Sequence, residues 1–253
     1  MNMHHPAISL PYWFQLNRVE HYWFEANGKR FAYAYIRKNA CTAFKTLICE
    51  TSKRADFFET GLRPMRFMNK YHRIKTRRQL DQCHTRLFVY RDPYGRLVSA
   101  YLNKFVARKG HEDIFQRYQS ATGQHPDDTS FRDFVTRYCI PPFSQRDKHV
   151  RPQANRLLDL PYDHAIEMGG LLPKMQDLLG AELAERYFSR PQNRTEYSNL
   201  QSSQVDMRAG DLAQLFRNTG QAPGAKAFES KELRQLIEKN YACDYALIRS
   251  LQV

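Results

Sequence analysis

The sequence predicts an α/β fold in which a central, mostly parallel sheet is covered by helices. Three observations carry that prediction. A strand, a tight loop and a helix follow one another between residues 31 and 53. A second such unit spans 86–109, and DHAIEM followed by LLPKMQDLLG reads as a third strand–helix pair ending at Gly180. Strands alternating with helices favour parallel pairing, because each helix returns the chain to the same end of the sheet. With 253 residues the chain fits one domain, 1–253, and its 42% hydrophobic and 26% charged residues are those of a folded protein.

Taken in order, residues 1–20 hold Pro6, Pro11 and the aromatic cluster Tyr12, Trp13, Phe14, and read as a lead-in segment packed on the domain. Two aromatic-rich runs then flank Asn27-Gly28, the strongest short hairpin signal. The run 31–36 is a strand, and Phe44, Leu47 and Ile48 give TAFKTLICETSK a helical face. Residues 65–71 are expected as a strand and TRRQLDQC as a short helix. RLFVY (86–90) is a compact strand broken by Asp92-Pro93, after which Leu97, Val98, Tyr101, Leu102 and Phe105 recur on one helical side. The polar stretch 110–130 is expected as a flexible loop, FRDFVTRYCI as a helix stopped by Pro141-Pro142, and SKELRQLIEKNYACDYALI as one long closing helix. The segment 190–224 carries no clear pattern.

Thirty-nine Lys and Arg against 26 Asp and Glu leave a net charge of +13, which calls for an anionic partner: nucleic acid, a phosphorylated nucleotide, an acidic polysaccharide or an anionic membrane surface. Seven of the basic residues fall at 63, 66, 70, 73, 75, 77 and 78, with no acid between Glu59 and Asp81; the run suits a solvated face and an acidic-glycan contact equally. No nucleic-acid module is recognisable, so nucleic acid is not expected as the partner. The five cysteines are widely spaced, which predicts free thiols in a reducing, cytoplasmic setting and no zinc site. No apolar run nears the roughly 20 residues that cross a bilayer, so no transmembrane segment is expected, and any membrane contact would be peripheral.

Chemistry concentrates at two strand–helix junctions. In RKNACTAFK the backbone N–H groups at a helix start, two small residues (Ala40, Ala43), the Thr42 hydroxyl and the charges of Lys38 and Lys45 together suit a phosphate. The loop lacks the G-x-x-x-x-G-K-[ST] pattern, and with it the usual magnesium position. In RDPYGRLVSAYLNKF, Arg91 ends a strand and Ser99 lies two helical turns on, an Arg fork and a hydroxyl able to converge on a second phosphate. Alone, the first loop is equally compatible with an ordinary lysine-bearing turn, and an arginine at a strand end is more often a surface residue or a structural ion pair.

Together, in this order, the two loops resemble the carbohydrate sulfotransferases related to the chondroitin 4-O and HNK-1 enzymes. RKNACTAFK is similar to that family's Pro-Lys-x-Ala-Cys-Thr-x-x-Lys, and RDPYGRLVSAYLNKF to its Arg-(Asp/Glu)-Pro and Arg-Leu-Val-Ser-Ala-Tyr. HVRPQANRL, LPYDHAIEMGGL and YACDYAL extend the resemblance to about residue 247. Three positions depart from the family: Arg37 for its proline, Phe44 for its tryptophan, and Val150 for the tryptophan after its histidine.

The resemblance implies the sulfotransferase fold, a P-loop-like three-layer arrangement. It also implies a sulfuryl transfer from 3'-phosphoadenosine 5'-phosphosulfate (PAPS) to a carbohydrate hydroxyl, without a metal, as in polysaccharide biosynthesis. Lys38 would contact the 5'-phosphosulfate, Asn39, Ala40, Cys41, Thr42 and Ala43 would cradle it, and Arg91 and Ser99 would hold the 3'-phosphate. Cys41, at a helix start, also admits a nucleophile reading. A general base with a pKa near working pH is expected to be a histidine: His72 first, placed after the expected second strand, and His149 second. The competing readings are a P-loop-like small-molecule kinase and a non-enzymatic polyanion-binding protein.

Overall fold

The computed structural model describes residues 12–140, 146–189, 196–198 and 203–252. In chain order its main elements are α1 (Tyr12–Arg18), β1 (His21–Ala26), β2 (Lys29–Ala34), α2 (Cys41–Glu50), α3 (Pro64–Tyr71), α4 (Arg77–Asp81), β3 (Thr85–Tyr90) and α5 (Pro93–Tyr101). They continue with α6 (Glu112–Thr122), α7 (Phe131–Asp133), β4 (His164–Glu167), α8 (Leu171–Leu179), α9 (Ala181–Phe188), β5 (Glu196–Ser198), α10 (Ala209–Thr219), β6 (Gln221–Pro223), α11 (Lys231–Asn240) and α12 (Ala242–Ser250). Described residues within 1–36, 40–90 and 155–191 form one compact unit, and those within 37–39, 91–154 and 192–253 form a second.

The first unit holds a four-stranded sheet in the order β1-β2-β3-β4, mixed α/β in class and mostly parallel as expected. Asn27 and Gly28 both have positive φ, 50° and 71°, the backbone that a two-residue hairpin needs, and β1 pairs antiparallel with β2 through it. β2, β3 and β4 run parallel, with Phe31 opposite Thr85 and Leu87 opposite His164. Strand alternation sorts the side chains. Tyr22, Phe24, Phe31, Tyr33, Leu87, Val89 and Ile166 pack on α2, α3, α8 and α9, while Trp23 and Ala32 pack on the other side with Leu16, Val19, Ile74, Leu80 and Leu158. Phe44, Leu47 and Ile48, the face expected for α2, are fully buried.

The second unit is mainly helical. Leu97, Val98, Tyr101, Leu102 and Phe105 are buried as expected and join Tyr118, Phe131, Phe134, Tyr138, Leu212, Leu233 and Tyr241 in one core. Asp92 caps α5 by accepting from the Gly95 N–H at 2.8 Å, and Pro93 occupies the first helical position, where its missing N–H costs nothing. The last turn of that helix, Leu102–Val106, widens to π-helical hydrogen bonding, as does Phe134–Cys139 after α7.

Three expectations give way, and one unassigned stretch gains structure. Residues 65–71 are helix α3, not a strand: Pro64 starts it, and Phe67 and Met68 bury one face. The stretch 110–130 is not loop throughout, since α6 occupies Glu112–Thr122 and buries Ile114 and Tyr118. The closing helix breaks at Tyr241, whose hydroxyl is held in the core by the Val150 carbonyl at 2.6 Å. The segment 190–224 contains α10, and α9 was unanticipated. The lead-in carries α1; residues 1–11 and Pro141-Pro142 lie outside the described residues.

Candidate active site

The first junction is conformationally unusual. Lys38 (φ 71°) and Ala40 (φ 54°), on either side of Asn39, both occupy the left-handed region. A non-glycine residue there costs on the order of 1–2 kcal/mol, so the conformation persists only where its surroundings impose it. Alternation into the left-handed region turns successive N–H groups toward a common point and makes an anion-binding concavity. Helix α2 starts at the next residue. Its cap, Ala40, brings no side-chain hydrogen bond, and its first turn has no acid, so the helix start offers its N–H groups and dipole to an anion. Cys41 and Thr42 are half-buried, and Ala43 is buried against the core.

Residues 37–39 belong to the second unit, and there they meet the other junction. Gln153, wholly buried, makes the link: its Oε1 accepts from Asn39 Nδ2 at 2.8 Å and from the Arg91 backbone N–H at 3.2 Å, and its Nε2 donates to the Arg91 carbonyl at 2.7 Å. Arg96, also wholly buried, donates from Nε to the Arg37 carbonyl at 3.2 Å and from Nη2 to the Arg151 carbonyl at 2.7 Å. The backbones at Lys38 and Arg91 are thus tied into one polar frame. The half-buried Arg91 side chain runs along the first turn of α5, since a Cβ at Gly95 would lie 3.6 Å from its Nε. Ser99, half-buried, follows one turn further along the same helix.

His149 lies in this unit too. Its Nδ1 and its backbone N–H both meet the Asp147 carboxylate, the latter at 2.8 Å. Burial opposes the charge on Asp147, but the hydrogen bonds and charge of His149 outweigh it and keep the acid ionised well below the usual carboxylate range. Burial lowers the His149 pKa to about 4 against the pull of Asp147, with Arg37 and Lys104 adding positive charge nearby. An ionised carboxylate only accepts, so Nδ1 carries the proton and Nε2 keeps its lone pair. Among the described residues Nε2 has no hydrogen-bond partner. The ring is therefore a neutral imidazole oriented by a carboxylate, with a pKa below the near-working-pH value expected from sequence for a base.

His72 stands differently. It caps the C-terminus of α3 in the first unit and is buried, with Nδ1 against the Trp23 carbonyl and Nε2 against the Ser52 hydroxyl, each at 2.9 Å. Burial lowers its pKa. Phe44 stacks on Tyr33 with ring centroids 3.9 Å apart, so this departure from the family pattern belongs to the core.

Sequence reasoning missed Gln153, Asp147 and Arg96 as site residues. Gln153 falls in HVRPQANRL, a pattern that by itself gives it no role. The Asp147-x-His149 spacing was the available signal for the dyad.

A match to the sulfotransferase family extends over residues 21–248, and the chain belongs to that family. Carbohydrate sulfotransferase 11 of Rattus norvegicus is 32% identical over 136 residues, covering 46% of this chain and 38% of its own length; the Mus musculus protein gives the same values. Carbohydrate sulfotransferase 14 of Homo sapiens is 29% identical over 136 residues, covering 49% of this chain and 36% of its own. The chain therefore spans less than two-fifths of the length of these relatives. No solved structure matches it.

Proposed function

We propose that the chain is a carbohydrate O-sulfotransferase using PAPS, built on the P-loop-like version of its α/β fold. The observation that carries this reading is the frame joining the left-handed Lys38–Ala40 turn to Arg91 through Gln153. A 3',5'-bisphosphorylated nucleotide has two separated anionic ends, and the frame couples two sites of the kind such ends require. Lys38 and the N–H groups from Asn39 to Ala43 take the 5'-phosphosulfate, and Arg91 with Ser99 takes the 3'-phosphate. The carbohydrate acceptor follows from what the relatives are named for, and the +13 charge suits an acidic glycan.

In the transfer the acceptor hydroxyl oxygen forms a bond to sulfur, and the bond from sulfur to the 5'-phosphate oxygen breaks. The hydroxyl proton passes to Nε2 of His149, and Lys38 balances the charge gathering on the departing phosphate. We assign the base to His149 over His72 because His149 shares a unit with Lys38 and Arg91 and has its Nδ1 fixed by a carboxylate, whereas both nitrogens of His72 are engaged by the Trp23 carbonyl and the Ser52 hydroxyl within the first unit. Cys41 serves as part of the cradle.

The test is to incubate the protein with PAPS and a panel of neutral and acidic glycans, measuring 3'-phosphoadenosine 5'-phosphate (PAP) release and sulfated product. Turnover that persists in EDTA supports the reading. No PAP binding by titration calorimetry together with no transfer to any acceptor overturns it, and turnover of ATP with magnesium would put the kinase reading in its place.

A further inference from the structure

Gln153 occupies a position that the proposed chemistry does not by itself require. It touches no substrate in that scheme, yet it is wholly buried and bonds to both junctions. Its own backbone is fixed in turn: the N–H groups of Gln153 and Ala154 donate to Oδ2 and Oδ1 of Asp244 at 3.0 and 2.8 Å, a bidentate grip by one buried carboxylate on α12. Burial raises the Asp244 pKa, while the Arg96 charge and the two N–H groups hold it down. Arg96 in turn fixes the carbonyls of Arg37 and Arg151. The 151–154 segment is thereby anchored from α12 and α5 before its one glutamine reaches out to Asn39 and Arg91.

We infer that Gln153 is a positioning residue that sets the spacing between the two phosphate-binding junctions, with Asp244 as its anchor. This inference rests on the donor-nucleotide reading above. An amide is the side chain that fits, because the bridge needs an acceptor for Asn39 Nδ2 and the Arg91 N–H and a donor for the Arg91 carbonyl on one rigid plane. Loss of the amide frees Lys38 and Arg91 to drift apart, so the penalty falls on a ligand that must engage both at once. A ligand that engages only the 5'-phosphate loop is affected little.

The measurement is the affinity of PAP against that of AMP, which lacks the 3'-phosphate, for the wild-type chain and for Gln153→Met, close in size but without the amide. The expected result is that Gln153→Met lowers PAP affinity by about 10–100-fold, the value of two or three lost hydrogen bonds, and AMP affinity by about 3-fold or less, so that the PAP-to-AMP ratio falls. Should Gln153→Met fail to fold, judged by its circular dichroism and melting transition, Gln153→Glu replaces it. The carboxylate still accepts from Asn39 and the Arg91 N–H but turns an acceptor oxygen onto the Arg91 carbonyl in place of the donor, so a fall in the same ratio is expected. An unchanged ratio in whichever folded variant is measured overturns the inference. Absence of PAP binding by the wild-type chain overturns the donor reading instead, and the two failures are told apart by that wild-type titration.

Discussion

His149 and Asp147, two residues apart, form a closed pair in which one carboxylate oxygen receives both the ring Nδ1–H and the backbone N–H of the same histidine. The double contact fixes the imidazole plane and leaves Nε2 as the basic atom. His149→Ala is expected to lower kcat by about 10²–10⁴-fold, the usual contribution of a positioned base, while PAP affinity changes less than about 3-fold, since no phosphate contact is lost. Asp147→Asn is expected to lower kcat as well, because an amide can present its NH₂ to Nδ1 and select the wrong tautomer. Steady-state kinetics with PAP titrations checks both. Full turnover in His149→Ala would return the base to His72.

The pH dependence of activity follows from the same pair. Burial holds His149 near a pKa of about 4, so it is unprotonated throughout the neutral range. A plot of kcat/KM is therefore expected to lack an acid limb at the ordinary histidine value of about 6.5, and to fall only as pH approaches 4. An inflection between pH 6 and 7 that vanishes in His149→Ala would contradict this environment for the ring.

Stability should respond to acid through His21, which is wholly buried beside Arg73 and Arg156, with Nε2 against the Tyr162 hydroxyl at 2.7 Å. Burial lowers its pKa to about 3, with the two arginines adding to the effect. A depressed folded value means that the unfolded chain takes up the proton first. The stabilising contribution is complete above about pH 6.5, and it is lost as pH falls from there toward 3. The melting temperature is expected to drop between pH 7 and 5, with a shallower slope in His21→Phe. Equal slopes would exclude His21 as a source of the acid sensitivity.

Much of the parallel sheet and both junctions could be read from the sequence because their signals are local. Asn27-Gly28 dictates its own turn, Phe44-x-x-Leu47-Ile48 its own buried face, and Asp92-Pro93 its own helix start. Residues 65–71 misled because MRFMNKY is short and offers little periodicity; Pro64 at the helix start and the i, i+4 spacing of Phe67 and Tyr71 were the better guides. The site was half legible for a different reason. Lys38 and Arg91 announce themselves by charge and motif, but the bridge between them joins residues 114 and 62 positions apart in the chain. Nothing in local pattern marks such a long-range amide. The break at Tyr241 likewise depends on carbonyls about a hundred residues upstream.

Phe44 tests the core reading of a position where the family pattern has tryptophan. It is fully buried, stacked on Tyr33, with Phe188 edge-on at 4.9 Å. Phe44→Ala is expected to cost about 3–5 kcal/mol of stability through lost burial and the cavity left behind. Phe44→Trp is expected to cost about 1–3 kcal/mol, because a larger ring at a fully buried position pressed between Tyr33 and Phe188 forces its neighbours to shift. Urea unfolding checks both. A neutral Phe44→Trp would mean that the core is looser here than its packing indicates.

Arg91 and Lys38 should separate in their kinetic signatures. Arg91 lies beside the first turn of α5, and in the proposed reading it binds the 3'-phosphate, which takes no part in bond breaking. A contact of that kind serves ground and transition states alike, so Arg91→Ala should raise the KM for PAPS and weaken PAP by about 10–100-fold, the worth of one or two charge-assisted hydrogen bonds. AMP affinity should be nearly unchanged. Lys38 sits in the left-handed turn that precedes α2, and in the proposed reading it faces the phosphate where charge gathers on departure. Lys38→Ala should therefore lower kcat by about 10²-fold or more, since a group placed where charge develops acts mainly on the transition state. The two variants, assayed side by side for KM, kcat, and PAP and AMP affinity, give opposite patterns if the two ends of the nucleotide are assigned correctly. If AMP affinity falls with Arg91→Ala and holds with Lys38→Ala, the ends are reversed.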